Sequence, residues 1–295
     1  MRVGAFEVEF PVPDLKEPVA FAVIPGWLDA GKSASLTLSY LERLFVGQKL
    51  ATLARPGDFF DQTRYRPMLT RRDDSTRITI TNAMVTYGRR TQDSDFVFLQ
   101  LPEPHTKADE YVESIIELLK TIGIKRYILL GSVFDMVPYT RPLLVTSSAR
   151  NQSTKSNLSV TRVVPSDYQG PTSILSLIEE NLLQIGIEAL NLTVHIPGYL
   201  TLDEDYRGEK RLMEVIGSLY GLDVPQEAVD KAREQEQRFS KMSAQFLEQQ
   251  PELRTVLKQL EDNYDARVNS GKEATRLSPD VEKFLKELND RFEQS

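Results

Sequence analysis

The sequence predicts an α/β fold, a mostly parallel β-sheet covered by helices on both faces, with a helical C-terminal extension. Three observations predict it. Through about residue 222, short apolar runs alternate with helical patterns, the rhythm of β-α-β units. The runs FVFLQ and YILLG are apolar without alternation, as strands buried on both sides are. After Gly221 the composition changes and no strand candidate follows.

Taken in order, strands are expected at residues 19–24, 49–54, 77–87, 96–100, 126–132, 143–148 and 190–196, each a short run rich in apolar or β-branched residues. Residues 77–90 read as a twisted antiparallel excursion. Helices are expected to begin near Ser33, Ala108, Pro171 and Tyr206. The second of these places Tyr111, Ile115, Leu118, Leu119 and Ile122 on one face, with Gly123 as its stop. Residues 223–295 hold 16 acidic and 12 basic side chains, −4 of the chain's −7, which sets them apart as an extension. Pro225 and Pro279 stand at first helical positions, the latter behind Ser278 as N-cap. Leu253, Val256, Leu257, Leu260 and Tyr264 form one apolar stripe. Val281, Phe284, Leu285, Leu288 and Phe292 form another after the polar linker NSGKEATRLS. The expected organisation is a body over residues 1–222 and a helical extension over 223–295. The stripes are expected to pack within the chain, with a partner-binding or oligomerising arm as the alternative.

Composition excludes several classes. A chain of 295 residues with 40% hydrophobic and 27% charged residues is ordinary for a globular protein with a real core. No apolar run reaches the roughly 18 residues of a membrane span. The start, MRVGAFEVEFPVPDLKE, has no long apolar run, so no secretory signal is expected there. There is no cysteine, which removes disulfides, thiol catalysis and thiolate metal sites and fits a cytoplasmic location. A net charge of −7 argues against binding nucleic acid by phosphate neutralisation.

The stretch GWLDAGKS, residues 26–33, spells the phosphate-loop pattern G-x-x-x-x-G-K-S between a strand and a helix. Its variable positions argue against a nucleotide. A phosphate loop wraps phosphate in backbone N–H groups and favours small residues, but here Trp27, the only tryptophan, and Asp29 intervene. A carboxylate at roughly 4 Å from a phosphate charge costs on the order of 4 kcal/mol at an effective dielectric near 20. The expected strands end IPG, LAR, LQL, LGS and HIPG, so none supplies the aspartate that would hold Mg²⁺. The structural reading is a turn. Gly26 and Gly31 allow it, Asp29 caps the next helix, Trp27 anchors the loop in an apolar pocket, and Lys32 is exposed.

Two more signatures follow. In LLGSVFDMVPYTRP, Gly131 and Ser132 end a buried strand, where open α/β sheets place ligand crevices. Asp135, Tyr139, Thr140 and Arg141 come within the same turn, and Asp135 with Arg141 is expected as a structural ion pair. In YQGPTSIL, Gly170 precedes the Pro171 helix start and Thr172 sits in its first turn. The catalytic repertoire is narrow. His105 lies in a proline-rich turn, and His195 ends a strand, where a satisfied structural histidine is the default. His195 acts as a base only if the fold brings it to Ser132. Neither histidine has ligand spacing to another donor, so no metal site and no cofactor are expected. There is no G-x-S-x-G elbow.

GWLDAGKSAS, DFFDQTRYRP, LGSVFDMVPYTRP and YQGPTSIL, in this order, resemble the proteasome assembly chaperone 2 family, most closely its bacterial members. The resemblance spans roughly residues 5–222, with a helical tail also typical of bacterial members. It implies a three-layer α/β/α sandwich like that of nucleoside phosphorylases and hydrolases. It also implies an accidental phosphate-loop match, since Lys32 falls outside the family motif. Tyr139 stands where the family has histidine, and Gln169 where it has glutamate. Relatives in eukaryotes and archaea assist assembly of proteasomes or related complexes, some through a C-terminal hydrophobic-Tyr-X tail, whereas this chain ends DRFEQS. The expectation is therefore a non-catalytic interaction or assembly-chaperone-like protein. Its expected partners are itself, as a homo-oligomer such as a trimer, and another protein complex, with no nucleic acid and no membrane. The alternative is a nucleoside phosphorylase- or hydrolase-like enzyme or small-ligand binder. It would use a strand-end crevice beside Gly26, Trp27, Asp29, Gly131 and Ser132.

Overall fold

A computed structural model of the chain describes residues 1–72, 75–91, 94–200, 202–249 and 253–270. In chain order the elements are β1 (Arg2–Val3), β2 (Phe6–Val8), β3 (Val19–Val23), α1 (Ser33–Leu44), β4 (Gln48–Leu53), β5 (Met68–Arg72), β6 (Ser75–Thr79), β7 (Met84–Gly88), β8 (Phe96–Gln100) and α2 (Ala108–Ile122). They continue with β9 (Arg126–Asp135), β10 (Val145–Ser147), α3 (Gln152–Val160), β11 (Val164–Pro165), α4 (Ile174–Gln184), β12 (Glu188–Pro197), α5 (Tyr206–Tyr220), α6 (Gln226–Gln249) and α7 (Leu253–Ser270). Ten strands form a sheet in the order β1-β2-β4-β7-β8-β3-β9-β12-β10-β11, and β5 with β6 makes a separate two-stranded ribbon. This large sheet with its flanking helices is the expected α/β/α class. The linker, the Ser278–Pro279 start and the stripe from Val281 to Phe292 lie outside the described residues.

The chain divides into two compact units. The first holds residues 1–28, 38–130 and 170–190. At its centre β3 runs parallel to β8 and β9, with Phe21 opposite both Phe98 and Ile128. All five residues of β3 are buried, which accounts for the unbroken apolar run. The α2 face bearing Tyr111, Ile115, Leu118 and Leu119 is fully buried in the same core, and α2 stops at Gly123 as expected. Each such apolar side chain contributes roughly 1.5–3 kcal/mol.

The sheet is mixed rather than mostly parallel. β4, β7 and β8 pair antiparallel in succession, and β2 pairs antiparallel with β4. The reason lies in the connections. Parallel neighbours need a long crossover, usually a helix, and the described residues between β4 and β8 contain no α-helix. The run expected as one strand at 77–87 divides into β6 and β7, and its antiparallel character is as expected.

The second unit holds residues 29–37, 131–169 and the described residues from 191 on. Here β10 lies between antiparallel β12 and parallel β11. Asp205 caps α5, accepting from the N–H groups of Arg207 and Gly208 at 3.0 and 3.3 Å. Gly208 lets α5 approach Ser33 closely, because a Cβ there would meet the Ser33 hydroxyl at 2.1 Å. α6 packs on α5, with Ala228, Ala232 and Phe239 buried. Of the stripe expected on α7, Leu260 and Tyr264 are buried. Leu260 joins Tyr199, Leu200 and Phe239, while Tyr264 joins Val137 and Leu144. Leu260, Tyr264 and the half-buried Val256 thus pack within the chain.

Candidate functional site

The loop after β3 shows what GWLDAGKS does. It turns through left-handed backbone at Gly26, Leu28, Gly31 and Lys32. At Gly31 a Cβ would meet the Asp205 side chain at 2.7 Å, so only glycine fits. The Asp29 carboxylate accepts from the Ser35 N–H at 3.1 Å and the Ser35 hydroxyl at 2.7 Å, and so caps α1. The acceptor reaches six residues on, not two or three, because a short 3₁₀ turn at Ala30–Lys32 precedes the helix. Ser33 is buried and donates to the Asp205 carbonyl at 3.0 Å. Lys32 is exposed, as expected, and its Nζ lies 3.6 Å from Glu204. Asp29, Ser33 and Lys32 of this loop thus each have a partner within the chain. Asp29 holds the helix start, Asp205 holds the hydroxyl, and Glu204 holds the ammonium. Trp27, expected in an apolar pocket, is instead 62% exposed.

Gly131 and Ser132 are buried within β9, which runs on to Asp135 instead of ending at them as expected. Ser132 bridges Asp29 in parallel fashion and gives its hydroxyl to the Ala30 carbonyl at 2.8 Å. On β12 alternation buries Leu192, Val194 and Ile196 and sets His195 on the more polar face. His195 Nδ1 lies 2.7 Å from the Asp135 carboxylate, and Nε2 lies 3.0 Å from the Thr146 hydroxyl. A carboxylate only accepts, so Nδ1 carries a proton. In the neutral ring the lone pair on Nε2 is then filled by Thr146. Ser132 and His195 therefore spend their groups on other partners, and the serine–histidine bond a nucleophile would need does not form.

Asp135 also takes Arg267 Nη1 at 3.2 Å and the Met136 N–H at 2.7 Å. Burial pushes its carboxyl up, but the His195 hydrogen bond and charge, the Met136 N–H and Arg267 together outweigh this and hold it at about 2. The expected Asp135–Arg141 pair is replaced by two contacts to α7. Arg141 reaches Asp265 at 3.1 and 3.2 Å and Glu261 at 3.2 Å. The Thr140 hydroxyl donates to Glu261. The Arg141 hydrogen bond holds the Asp265 carboxyl below its ordinary value. Beside them the Tyr139 N–H donates to the Tyr199 hydroxyl at 3.0 Å, which itself donates to the Val137 carbonyl at 2.9 Å. Burial pushes that phenol up.

Sequence reasoning missed Glu261, Asp265 and Arg267. Their signal was the polar face of α7, with carboxylates four apart, while the reading followed only its apolar stripe. Gly170 and Thr172 lie exposed in the first unit. The helix after them starts at Ile174, whose N–H is held by Glu103 at 2.9 Å. Thr172 therefore precedes the first turn and bonds Ser176 at 2.6 Å. His105 accepts from the Asp61 N–H at 3.1 Å and meets the Tyr65 ring edge-on at 4.8 Å. Among the described residues no group of three metal-ligating side chains forms a site, and no helix is long and apolar enough to cross a membrane.

The model of the PAC2 family matches residues 23–243. A Mycobacterium tuberculosis protein of unknown function is 26% identical, covers 98% of each chain and superposes with a TM-score of 0.73. A PAC2 family protein from Streptomyces avermitilis is 22% identical over 76% of this chain and 95% of its own, with a TM-score of 0.69. Another Mycobacterium tuberculosis protein, a proteasome-assembly chaperone homologue, is 19% identical over 76% of this chain and 94% of its own, with a TM-score of 0.68. No curated protein matches the chain.

Proposed function

Since the chain belongs to the PAC2 family, we propose that it acts without chemistry of its own, as a cytoplasmic interaction protein of assembly-chaperone type. In this reading it associates with itself and with another protein complex. One observation carries the reading. The chemistry-bearing side chains at the strand ends are consumed by internal bonds. Asp29 caps α1, Ser132 serves Ala30, His195 lies between Asp135 and Thr146, and Arg141 is held by α7. A nucleophile or base needs a free group within reach of a substrate. One mycobacterial neighbour, a proteasome-assembly chaperone homologue, supports the same class of role.

The test is calorimetric titration of the full chain with Mg·ATP, Mg·GTP and a panel of nucleosides, beside Lys32→Ala and His195→Ala. Light scattering of the same preparation gives its mass. No saturable heat and a mass above 33.6 kDa are expected. Turnover of a nucleoside that His195→Ala abolishes would establish the phosphorylase- or hydrolase-like alternative instead.

A further inference from the structure

The ribbon β5–β6 is the part of the first unit whose side chains find no use inside it. Its strands pair Met68 with Thr79, Leu69 with Ile78, Thr70 with Arg77 and Arg71 with Thr76. One face therefore carries Leu69, Ile78 and Arg71, and the other Met68 and Arg77. On each face apolar side chains sit at the base and an arginine nearer the turn. These apolar residues stay in water: Met68 is 67% exposed, Ile78 65% and Leu69 53%. A two-stranded ribbon alone is marginal in water, and apolar residues grouped on it mark a surface that another body covers.

Charge says what that body is. Five arginines and two aspartates fall between residues 64 and 77, in a chain of net charge −7. Arg71 and Arg77 form no ion pair among the described residues. The complement is present on the same unit. Asp109, Glu113 and Glu117 recur every four residues on α2, and all three are exposed. They too make no ion pair among the described residues. Like charges at that spacing weaken a helix, so intrinsic stability does not explain the stripe. Among the described residues no ion pair joins the two surfaces, so each is open to the other on a second copy. α4, packed beside α2, adds the half-exposed Leu177.

We propose that the β5–β6 ribbon of one copy docks on the acidic face of α2 of a second copy. Such a contact joins unlike surfaces, and head-to-tail contacts of this kind close into rings when the rotation permits. The proposal rests on the self-association read above and names the surfaces that carry it.

The test is charge exchange, read by light scattering on the full chain. Four proteins are compared at one concentration: wild type, Arg71→Glu with Arg77→Glu, Glu113→Arg with Glu117→Arg, and all four changes together. Wild type is expected at a multiple of 33.6 kDa, each pair of reversals at 33.6 kDa, and the combination back at the wild-type mass. Rising salt should lower the wild-type mass. Reversals that leave the mass unchanged overturn the ribbon while self-association stands. Reversals that release monomers without recovery in the combination overturn α2 as the seat. A wild-type chain at 33.6 kDa, gaining mass only with an added polyanion or acidic protein, overturns both the second copy as occupant and the self-association reading. Should a charge variant fail to fold by circular dichroism, Leu69→Ser with Ile78→Ser is read in its place, and an unchanged mass again overturns the ribbon.

Discussion

The polar cluster around Asp29 and Asp205 and the β5–β6 ribbon are opposites in how their groups are satisfied. In the cluster, Asp29, Ser33 and Asp205 each have partners within 3.3 Å, and most of them are buried. On the ribbon, Leu69, Ile78, Arg71 and Arg77 face water. The cluster carries the spelling of a nucleotide site, whereas the ribbon carries no recognisable motif at all. A motif of reactive residue types thus identifies a function only when the fold leaves those groups unspent. Here the fold spends them on holding a turn, and leaves its open valences on a ribbon that no motif marks.

The contrast is broken or sharpened first at Asp205. Its carboxylate caps α5 and pairs with the Arg207 guanidinium, and both side chains are buried. Arg207 also lies over the Phe239 ring at 4.3 Å, which ties α6 to the same group. Asp205→Ala removes the cap and strands a buried cation. A loss of about 3–5 kcal/mol in urea unfolding is expected, the cost of breaking a buried pair from one side. A loss under about 1 kcal/mol would mean that the cluster is not the tightly bonded region described above.

A smaller effect is expected at Asp135, and it depends on pH. Its folded carboxyl is held at about 2, below the roughly 3.9 of an unfolded aspartate. The unfolded chain therefore takes up the proton first as pH falls. The stabilisation is whole above about pH 4 and drains away towards about pH 2. It amounts to about 2 kcal/mol. Comparing urea unfolding of wild type and Asp135→Asn from pH 7 downwards should show their gap narrowing through that window. A gap that stays constant would show that His195 and Arg267 hold the position by geometry rather than charge.

Both of those sites reveal where the sequence was readable. β3, β8 and β9 were legible because strands buried on both faces must be apolar throughout, a local property. So was the α2 face, from its helical spacing. Strand direction was not legible, since it depends on which strand lies alongside. β5 was missed because MLTRR puts arginines where alternation would ask for apolar residues, and α3, QSTKSNLSV, has no apolar stripe. The residues of the motifs could be singled out from the sequence, but their partners could not. Arg141 and Asp265 stand 124 residues apart, and no spacing rule joins them. Asp135 and Arg141, close in sequence, were paired by proximity, although α7 offers each of them a better partner.

The smallest expected effect is the most direct comparison of the two regions. Lys32 is the residue that makes GWLDAGKS resemble a phosphate loop, yet its pair with Glu204 is exposed at 3.6 Å. Exposed pairs of this kind contribute between nothing and about 1 kcal/mol. Ile78, on the ribbon, makes its apolar contacts to water. Lys32→Ala and Ile78→Ser should therefore each change the urea midpoint little, by less than about 1 kcal/mol when measured on dilute protein. They should part when the protein is concentrated. Association ties stability to protein concentration, so a midpoint that rises with concentration in wild type and Lys32→Ala, but not in Ile78→Ser, places the unspent surface on the ribbon. If Lys32→Ala alone lost the concentration dependence, the loop would be the docking surface and the contrast between the two regions would be reversed.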